Sequence, residues 1–340
     1  MSEAKVPIGV VGVGHLGYHH VAQLLQVPCA RLVGFYDIDR SRAAQVSREF
    51  SVPAFPSFQA LLKACQAVSI VTPTSTHFQL ARAALEGGCH VFVEKPITST
   101  VEQADRLIEL ARQSGLKLQV GHIERFNPAI MALEGLPINP LFVESHRLGS
   151  FTHRGTDVAV VLDLMIHDID LILSFVKSPV REVHASGISI LSATEDIANC
   201  RLLFENGCVA NVTASRISTR KMRKMRFFQP SMYISVDFLK GQSEVYFLER
   251  PGQETPVLAE TLQVKSMPWG ESASRLQYAR VGQARINPLR HELTRFCQAI
   301  LNREEPPITG EEARRALEVA DRILKQMQEH ARFVRRHWRF

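Results

Sequence analysis

A glycine-rich turn close to the N-terminus limits the folds open to this chain more than any other feature. Residues 12–17 read Gly-Val-Gly-His-Leu-Gly, directly after the apolar segment Ile8–Val11 and before the helical apolar spacing of Leu16–Leu25. A second apolar segment, Leu32–Tyr36, leads to Asp37, which lies 20 residues after the last glycine of the turn. A strand, a G-x-G-x-x-G turn, a helix and an acidic residue at this spacing predict a βαβ unit that binds a dinucleotide.

Each residue of the turn has a predicted place in the cofactor site. Gly12 permits a tight turn, Gly14 lets the backbone approach a pyrophosphate, and Gly17 lets the helix pack closely. The amides and the dipole of the helix N-terminus then face the phosphates. His15 and Leu16 complete the predicted cofactor loop, and the His15 side chain is expected to point to solvent. The alternative is a glycine-rich turn that binds no ligand.

Asp37 is predicted to bind the adenosine ribose of the cofactor. Its carboxylate accepts hydrogen bonds from the ribose hydroxyls and repels a 2′-phosphate, so the sequence favours NAD over NADP. Arg40 and Arg42 are close in sequence and weaken that discrimination.

Composition is that of an ordinary globular protein. The 340 residues are 45% hydrophobic and 22% charged, and this length suggests two domains. The six cysteines show no C-x-x-C spacing, so we predict neither a metal site nor a disulfide framework, and a reducing cytoplasm fits best. The N-terminus does not resemble a signal peptide, and no apolar run approaches the roughly 18 residues of a membrane span.

The net charge of +6 is unevenly distributed. Residues 216–226 hold six basic side chains, and residues 332–339 hold four more. Such runs are usually solvated surface, and the alternatives are an anionic ligand or an acidic partner surface. No nucleic-acid partner is expected.

The chain is predicted to divide near residue 125. From residue 6 to residue 122, short apolar strands alternate with helical segments, which is the pattern of a doubly wound parallel sheet. The predicted strands are Ile8–Val11, Leu32–Tyr36, Ala67–Val71, His90–Val93 and Lys117–Val120. The expected fold class is therefore α/β, with an NAD-binding Rossmann domain over residues 1–125.

Residues 126–340 are predicted to form a second α/β domain, for the substrate and for oligomerisation, with a mostly antiparallel open sheet. Its predicted strands are Phe142–Leu148, Glu182–Ile190, Asn199–Phe204, Cys208–Ser215, Ser231–Phe238 and Glu244–Leu248. Glu205-Asn206-Gly207 predicts a hairpin turn between two of these strands. The predicted helices begin at Asn127-Pro128 and span Val161–Phe175, Leu289–Leu301 and Glu311–Val334, the last with a cap at residues 309–312.

The helix predicted over Val161–Phe175 carries candidate catalytic residues. Asp163, His167 and Asp170 stand at i, i+4 and i+7, so they share one face of a regular α-helix. A histidine beside a carboxylate can act as a general base, and the alternative is an acidic helix face with a satisfied histidine. Lys95 favours the catalytic alternative. Oxidation of an alcohol needs a hydride acceptor, a base for the hydroxyl proton and a cation for the developing alkoxide.

These motifs resemble those of the Gfo/Idh/MocA oxidoreductases. The glycine turn, residues 72–77 (Thr-Pro-Thr-Ser-Thr-His), Glu94-Lys95-Pro96 and Asp163-x-x-x-His167 occur in that family's order. The resemblance implies that Lys95, Asp163 and His167 are the catalytic residues and that the Lys95–Pro96 peptide bond is cis. It also implies NAD or NADP as cofactor, a sugar, inositol or nucleotide sugar as substrate, and a homo-oligomer formed through the second domain's sheet.

A narrower resemblance is to the bacterial subgroup of this family that oxidises C3 of UDP-N-acetylglucosamine. It rests on residues 121–128, 154–157 and 161–168. It implies a keto product that a pyridoxal-phosphate aminotransferase converts to a 3-amino sugar for lipid A. Arg216, with Lys221 and Arg223, is then expected to bind the diphosphate. A free sugar or inositol remains the alternative substrate, and a non-catalytic dinucleotide-sensing regulator is a further alternative.

Other candidate residues have two interpretations each. Thr72, Pro73, His77 and Glu94 are assigned to the cofactor site, although a structural hydrogen bond is favoured over catalysis for His77. His122 ends a predicted strand at the edge of the sheet where ligands bind, so it either supports the substrate site or packs in the core. Arg125 either contacts the substrate or bridges the two domains, and substrate contact is slightly favoured.

Overall fold

A computed structural model describes residues 4–151, 158–250, 265–269, 274–282 and 286–337, apart from the side chains at 334 and 335. The motif at residues 154–157 lies outside these ranges. The described part of the chain divides into two compact units. The first holds Met1–Ile123 with Asn287–Leu317, and the second holds Glu124–Ile286 with Glu318–Phe340.

The first unit contains a parallel five-stranded sheet in the order β2-β1-β3-β4-β5. Its strands are β1 Val6–Val11, β2 Ala30–Tyr36, β3 Ala67–Ile70, β4 His90–Glu94 and β5 Leu118–Gly121. Its helices are α1 His15–Leu24, α2 Arg40–Phe50, α3 Phe58–Leu62, α4 Thr74–Glu86, α5 Val101–Ser114 and α8 Pro288–Asn302. The central strands are buried on both faces, as expected where helices cover a parallel sheet. The predicted Rossmann sheet is confirmed.

Helix α8 belongs to the first unit, which corrects the single division near residue 125. Leu293, Phe296 and Cys297 are fully buried in the same core as the strands of the parallel sheet. The rings of Phe296 and Phe92 meet edge to face with centroids 5.8 Å apart. The sequence places α8 after every strand of the second sheet, so only its apolar face and its packing on α1 and β1 reveal where it belongs.

The second unit contains a nine-stranded sheet in the order β13-β14-β12-β11-β10-β6-β9-β8-β7. Its strands are β6 Phe142–Leu148, β7 Val180–Ile188, β8 Ile197–Phe204, β9 Val209–Ser215, β10 Met222–Gln229, β11 Met232–Asp237, β12 Gln242–Glu249, β13 Lys265–Pro268 and β14 Arg275–Gly282. Neighbouring strands pair antiparallel except β6 and β9. The predicted mostly antiparallel sheet is confirmed. Gly207 has φ +86° in the turn between β8 and β9, so the predicted hairpin is also present.

The remaining described helices are a 3₁₀ helix Ile123–Phe126, α6 Pro128–Met131, a π-helix Val161–Met165, α7 Ile166–Val176 and α9 Gly310–His337. Helix α7 packs on β6 and β9, and the rings of Phe175 and Phe227 lie 4.8 Å apart. Thr309 caps α9 as predicted, because Thr309 Oγ1 accepts from the Glu312 amide and Glu312 Oε2 accepts from the Thr309 amide.

Strand β10 was not predicted, because its first five residues belong to the basic stretch of residues 216–226. Its inward residues Met225 and Phe227 are fully buried, and Lys224 and Arg226 alternate with them. Arg226 pairs with Glu144 on β6 at 3.1 Å, and Lys224 lies 3.8 Å from Asp237 on β11. Carboxylates on the neighbouring strands thus neutralise the basic side chains of β10. In the sequence, the same basic side chains make the alternation of a strand hard to recognise.

Candidate active site

The glycine loop has the geometry that a dinucleotide site requires. Gly12 has φ +86°, and a Cβ atom there would lie 2.5 Å from the Val71 carbonyl oxygen. A Cβ atom on Gly17 would lie 1.9 Å from the Gly12 carbonyl oxygen, so neither position accepts a side chain. At Gly14 a Cβ atom would meet nothing within 4 Å. The loop backbone therefore faces open space at Gly14, directly before the N-terminus of α1.

The two other members of the loop are exposed. His15 is solvent-exposed, as expected for its side chain, and its ring meets that of His19 edge to face at 5.3 Å. Leu16 is also exposed. Neither side chain is therefore packed into the protein interior at the helix N-terminus.

Asp37 and Arg42 hold the glycine loop from two sides. Asp37 Oδ2 accepts from the Val13 amide at 2.7 Å, and Oδ1 accepts from the Asp39 amide at 2.8 Å. Arg42 Nε donates to the Val13 carbonyl at 2.9 Å, and its Nη1 donates to Gln45. A carboxylate has about four acceptor positions, so Asp37 retains capacity for ribose hydroxyls. Arg42 is engaged with the loop, whereas Arg40 is exposed.

The Glu94-Lys95-Pro96 segment follows the carboxyl end of β4, and its Lys95–Pro96 peptide bond is cis, as the resemblance implies. Lys95 is half-buried. The Glu94 carboxylate lies 3.1 Å from His20 Nε2, and His20 Nδ1 lies 2.9 Å from Ser69 Oγ. Burial opposes the charge of Glu94, but the His20 hydrogen bond and the charges of His20 and Lys95 outweigh it and lower the pKa of Glu94. An ionised carboxylate therefore stands next to Lys95.

The Thr72-Pro73 loop lies at the same edge of the sheet, after β3. Thr76 Oγ1 donates to Thr72 Oγ1 at 2.7 Å and lies 2.8 Å from the Pro73 carbonyl oxygen. His77, in the first turn of α4, bonds to the Thr72 and Pro96 carbonyl oxygens. The structural hydrogen bond predicted for His77 is therefore present. Because β3 and β4 are adjacent and parallel, this loop and the Lys95 segment lie side by side.

His122 follows β5 at this edge, but its side chain is only 1% exposed. Such burial favours core packing or support of neighbouring groups over direct contact with a substrate. The edge of the first unit's sheet thus brings together the glycine loop, Asp37, Thr72 and Lys95, with His77 and His122 beneath the surface.

Asp163 and His167 belong to the second unit and lie on two kinds of helix. Asp163 is in the π-helix and His167 is in the first turn of α7, and both are half-buried. The regular helix predicted over Val161–Phe175 is therefore wrong in its first turn. A π-turn holds more residues than an α-turn, so the α-helical spacing predicted between Asp163 and His167 does not apply, and short π-helical segments are frequent at functional sites.

Arg125 and Asp170 form a bidentate ion pair. Arg125 Nε and Nη2 donate to the two Asp170 oxygens at 2.7 and 2.6 Å, and Asp170 is buried. Asp170 stands three residues after His167 in the regular helix α7, so the two residues lie on the same side of that helix. Arg125 is the counter-ion of this buried carboxylate, and its contact with the substrate stays a prediction. A buried carboxylate needs such a partner, because leaving it alone costs several kcal/mol.

A second buried ion network was not predicted. It includes Asp168, the residue that follows His167. Arg147 on β6 donates to Asp168 at 2.7 Å and to Glu124 at 2.7 Å, and Ser145 Oγ donates to Asp168 at 3.0 Å. Burial opposes the charge of Arg147, but the two carboxylates outweigh it and raise its pKa. Glu124 and Arg125 thus connect the 3₁₀ helix to the two acids beside His167. The inward alternation of Val143, Ser145 and Arg147 on β6 was the available signal.

Arg216 is buried and bound within the second unit, which does not favour its predicted assignment to the substrate. It is 5% exposed, its Nη2 donates to the Val158 carbonyl at 2.5 Å, and its Nε lies 3.9 Å from Asp196. Asp196 in turn accepts from the amides of residues 190, 191 and 192. Burial alone would raise the pKa of Asp196, but these donors lower it to about 2.

The outer part of the basic stretch is accessible. Lys221 is exposed, and Arg223 is 46% exposed with Nη1 3.6 Å from Glu124 Oε1. These two cations therefore remain candidates for an anionic ligand.

None of the described helices has an apolar stretch long enough to cross a membrane. No group of three or more His, Cys, Asp or Glu side chains in the described ranges is arranged to hold a metal ion.

The fold and the glycine loop define a Rossmann-type, dinucleotide-dependent oxidoreductase with a second α/β unit. Residues 6–122 match the oxidoreductase family with an NAD-binding Rossmann fold, and residues 142–235 match the GFO/IDH/MocA C-terminal domain. The chain belongs to the Gfo/Idh/MocA family of oxidoreductases.

Relatives of known activity include enzymes for nucleotide sugars and for inositols. UDP-N-acetylglucosamine 3-dehydrogenase from Acidithiobacillus ferrooxidans is 42% identical over 239 residues, which are 70% of this chain and 76% of the relative. The solved structure of that organism's enzyme, GnnA, has a TM-score of 0.85 and 35% identity, covering 96% of this chain and 98% of its own. An NAD(+)-dependent scyllo-inositol 2-dehydrogenase from Bacillus subtilis is 31% identical over 235 residues, 64% of this chain and 69% of the relative.

Proposed function

We propose that this protein uses NAD to oxidise C3 of UDP-N-acetylglucosamine to a ketone. The observation that carries the proposal is the 42% identity to a UDP-N-acetylglucosamine 3-dehydrogenase, supported by a related structure that matches 96% of this chain. The glycine loop supplies the open backbone that a dinucleotide needs. Dehydrogenation of a free sugar or inositol is the second candidate, favoured by the 31% identity to the inositol enzyme.

The residue roles follow from the chemistry of alcohol oxidation. When bound, the nicotinamide cofactor accepts the hydride. Lys95 supplies a cation that stabilises the oxygen as it becomes an alkoxide. His167 accepts the hydroxyl proton as general base, and Asp163 supports the histidine electrostatically. A regulator that only senses dinucleotide would not need Lys95, Asp163 and His167 together.

The accessible cations of β10 and the turn before it are proposed to meet the diphosphate of the substrate. Lys221 and Arg223 take this role, because Arg216 is buried against Val158 and Asp196. Arginine can bind a phosphate through two parallel hydrogen bonds, which suits Arg223.

The substrate proposal predicts a product that can be trapped. The protein with NAD and UDP-N-acetylglucosamine should yield a 3-keto sugar nucleotide, and an added pyridoxal-phosphate aminotransferase should convert it to the 3-amino sugar. Mass spectrometry of the product with a 3-deuterated substrate would show loss of that deuterium. Trapping is preferred to NADH absorbance because an uphill oxidation accumulates little NADH.

Free N-acetylglucosamine is the matched comparison. Binding energy from remote groups is used in the transition state, so removing the nucleotide should lower kcat as well as raise KM. Efficient oxidation of free N-acetylglucosamine or an inositol, with no 3-amino sugar from the nucleotide, would contradict the proposal and favour the second candidate.

The cofactor is proposed to be NAD in preference to NADP, and Asp37 supports this. Asp37→Ala should weaken NAD binding and narrow the ratio of NADP to NAD dissociation constants, because the 2′-phosphate is no longer repelled. Calorimetric titration of both cofactors into wild type and variant measures the ratio.

Asp37→Asn is the informative second variant. It keeps an oxygen that can accept from the Val13 amide but removes the charge. Loss of discrimination in both variants assigns the effect to charge. Equal affinity of the wild type for NAD and NADP would contradict the preference.

A homo-oligomer, dimer or tetramer, through the open face of the second sheet is also proposed. Five aromatic side chains form a continuous row across five strands, with ring centroids 4.9–5.7 Å apart between neighbours. In order they are Phe142, Phe228, Tyr233, Tyr246 and Tyr278. Aromatic residues are enriched at protein interfaces. Sedimentation equilibrium tests the proposal, and a monomer at micromolar concentration would contradict it.

The cellular setting follows from the substrate. A 3-keto sugar nucleotide would be consumed by a cytoplasmic aminotransferase that makes the 3-amino sugar of lipid A. We propose that enzyme as the pathway partner.

A further inference from the structure

Two histidines anchor the segment that carries Lys95, one on each side of it. His20 binds the carboxylate of Glu94, the residue before the lysine. His77 contacts the carbonyl oxygen of Pro96, the residue after it, with Nδ1 at 2.9 Å. Lys95 is therefore held between two residues whose positions are fixed by side chains from α1 and α4.

His77 also connects Lys95 to the neighbouring loop. Its Nε2 lies 2.8 Å from the Thr72 carbonyl oxygen, so one ring bridges the chain segments that follow β3 and β4. The side chain is 1% exposed and cannot itself meet a substrate in solvent. Since His77 is in the first turn of α4, a short stiff element sets the ring position.

The contacts of His77 with the Pro96 and Thr72 carbonyl oxygens have the same chemical requirement. Both partners are carbonyl oxygens, which only accept hydrogen bonds, so each bond needs an N–H from the ring. A neutral imidazole has one N–H. Burial lowers the pKa of His77, while the Pro96 and Thr72 carbonyls and the charge of Glu94 oppose that shift. An aliphatic or aromatic side chain at this position would offer no N–H to either carbonyl oxygen.

We propose that His77 is a positioning residue, which places the Lys95 ammonium for catalysis by holding the Pro96 carbonyl against the Thr72 loop. The proposal rests on the catalytic role of Lys95 given above. The Pro96 contact matters more than the Thr72 contact, because it is one peptide unit from Lys95. A displacement of about 1 Å in a catalytic group can cost about 10²-fold in rate.

Three substitutions separate the two contacts. His77→Phe keeps a ring and removes both ring nitrogens. His77→Asn places an amide nitrogen where Nδ1 stands and can retain the Pro96 contact, whereas His77→Gln reaches the position of Nε2 and can retain the Thr72 contact. We expect His77→Phe to lower kcat by about 10- to 100-fold with KM for UDP-N-acetylglucosamine within about threefold of wild type. His77→Asn should recover most of that loss, and His77→Gln less.

His90 provides the matched control. It is a half-buried histidine at the start of β4, and its Nδ1 accepts from the Lys117 amide at 2.9 Å. His90→Phe perturbs the same strand, β4, at the end opposite to Lys95. The melting temperature of His90→Phe should fall about as much as that of His77→Phe. The kcat of His90→Phe should stay within about twofold of wild type.

Hydrogen exchange gives a readout that does not depend on the substrate. In His77→Phe, the amides of residues 72, 74–76, 95, 97 and 98 should exchange faster, whereas His77→Asn should keep the amides of residues 95, 97 and 98 protected. If the wild type fails to oxidise UDP-N-acetylglucosamine, the proposed function is wrong and exchange still decides the role of His77. Unchanged exchange at residues 95–98 in His77→Phe, or equal kcat losses in His77→Phe and His90→Phe, would overturn the proposal.

Discussion

Replacing His167 with alanine is expected to lower kcat for UDP-N-acetylglucosamine by roughly 10² to 10⁴-fold, the usual contribution of a general base. Binding of NAD should be unchanged, because His167 belongs to the second unit and the glycine loop and Asp37 to the first. The acidic limb of the pH profile of kcat should also flatten, since the group that must be deprotonated is gone. Stopped-flow or trapped-product kinetics from pH 5 to 9 measure both effects.

His184→Ala is the control for this substitution. His184 lies on β7 of the same unit with an exposed side chain, and its Nε2 is 3.5 Å from Glu182. Its removal should leave kcat and the pH profile unaltered. A near-normal kcat in His167→Ala would show that another group is the base.

Replacing Lys95 with methionine is expected to lower kcat by roughly 10² to 10³-fold. The change removes a charge that interacts most strongly with the alkoxide as it forms, and such electrostatic contacts are worth about 2.7 to 4 kcal/mol. Methionine keeps much of the length of the side chain, so packing in the half-buried position should change little. NAD binding should stay within a few-fold, as measured by fluorescence titration of NADH.

Lys117→Met tests whether loss of any lysine from the first unit has the same effect. Lys117 precedes β5 and pairs with Glu305 at 3.1 Å. Normal turnover in this variant, with the loss in Lys95→Met, supports a specific role. Loss of NAD binding in Lys95→Met would instead indicate that the lysine mainly holds the cofactor.

The strands of the first unit could be predicted because local rules determine them. A buried parallel strand is a short apolar run, and all five predicted runs correspond to strands, with ends that differ by at most two residues. The requirement for glycine at position 17 is equally local, since a Cβ atom there would lie 1.9 Å from the Gly12 carbonyl oxygen. At position 12 the positive φ of the turn is local, but the close Val71 carbonyl oxygen comes from the segment after β3.

The second unit was less predictable where charge and apolarity compete. Strand β10 carries Arg223, Lys224 and Arg226 among its inward apolar residues, and its carboxylate partners come from β6 and β11. Cross-strand partners are set by the sheet order, which the chain order does not give. The residues of the π-helix at 161–165 are mostly apolar, as they would be in a buried α-helix, so the sequence pattern could not distinguish the two kinds of helix.

The partners of the long cationic side chains at the site could not be predicted from the sequence either. Arg125 and Arg216 had the right charge for an anionic substrate, but they pair with the buried carboxylates Asp170 and Asp196. The strength of an ion pair depends on burial and on distances of a few ångströms, neither of which is a property of sequence spacing.

Short-range patterns predict the glycine loop, the acid after β2, the lysine after β4 and the two classes of sheet, because each depends on residues close together in the chain. Only the folded chain shows that α8 joins the first unit, that Arg147 links Glu124 to Asp168, and that His77 contacts the Thr72 and Pro96 carbonyls. These contacts join residues from separate elements. Their energies come from burial and hydrogen-bond geometry, which exist only once the elements are packed.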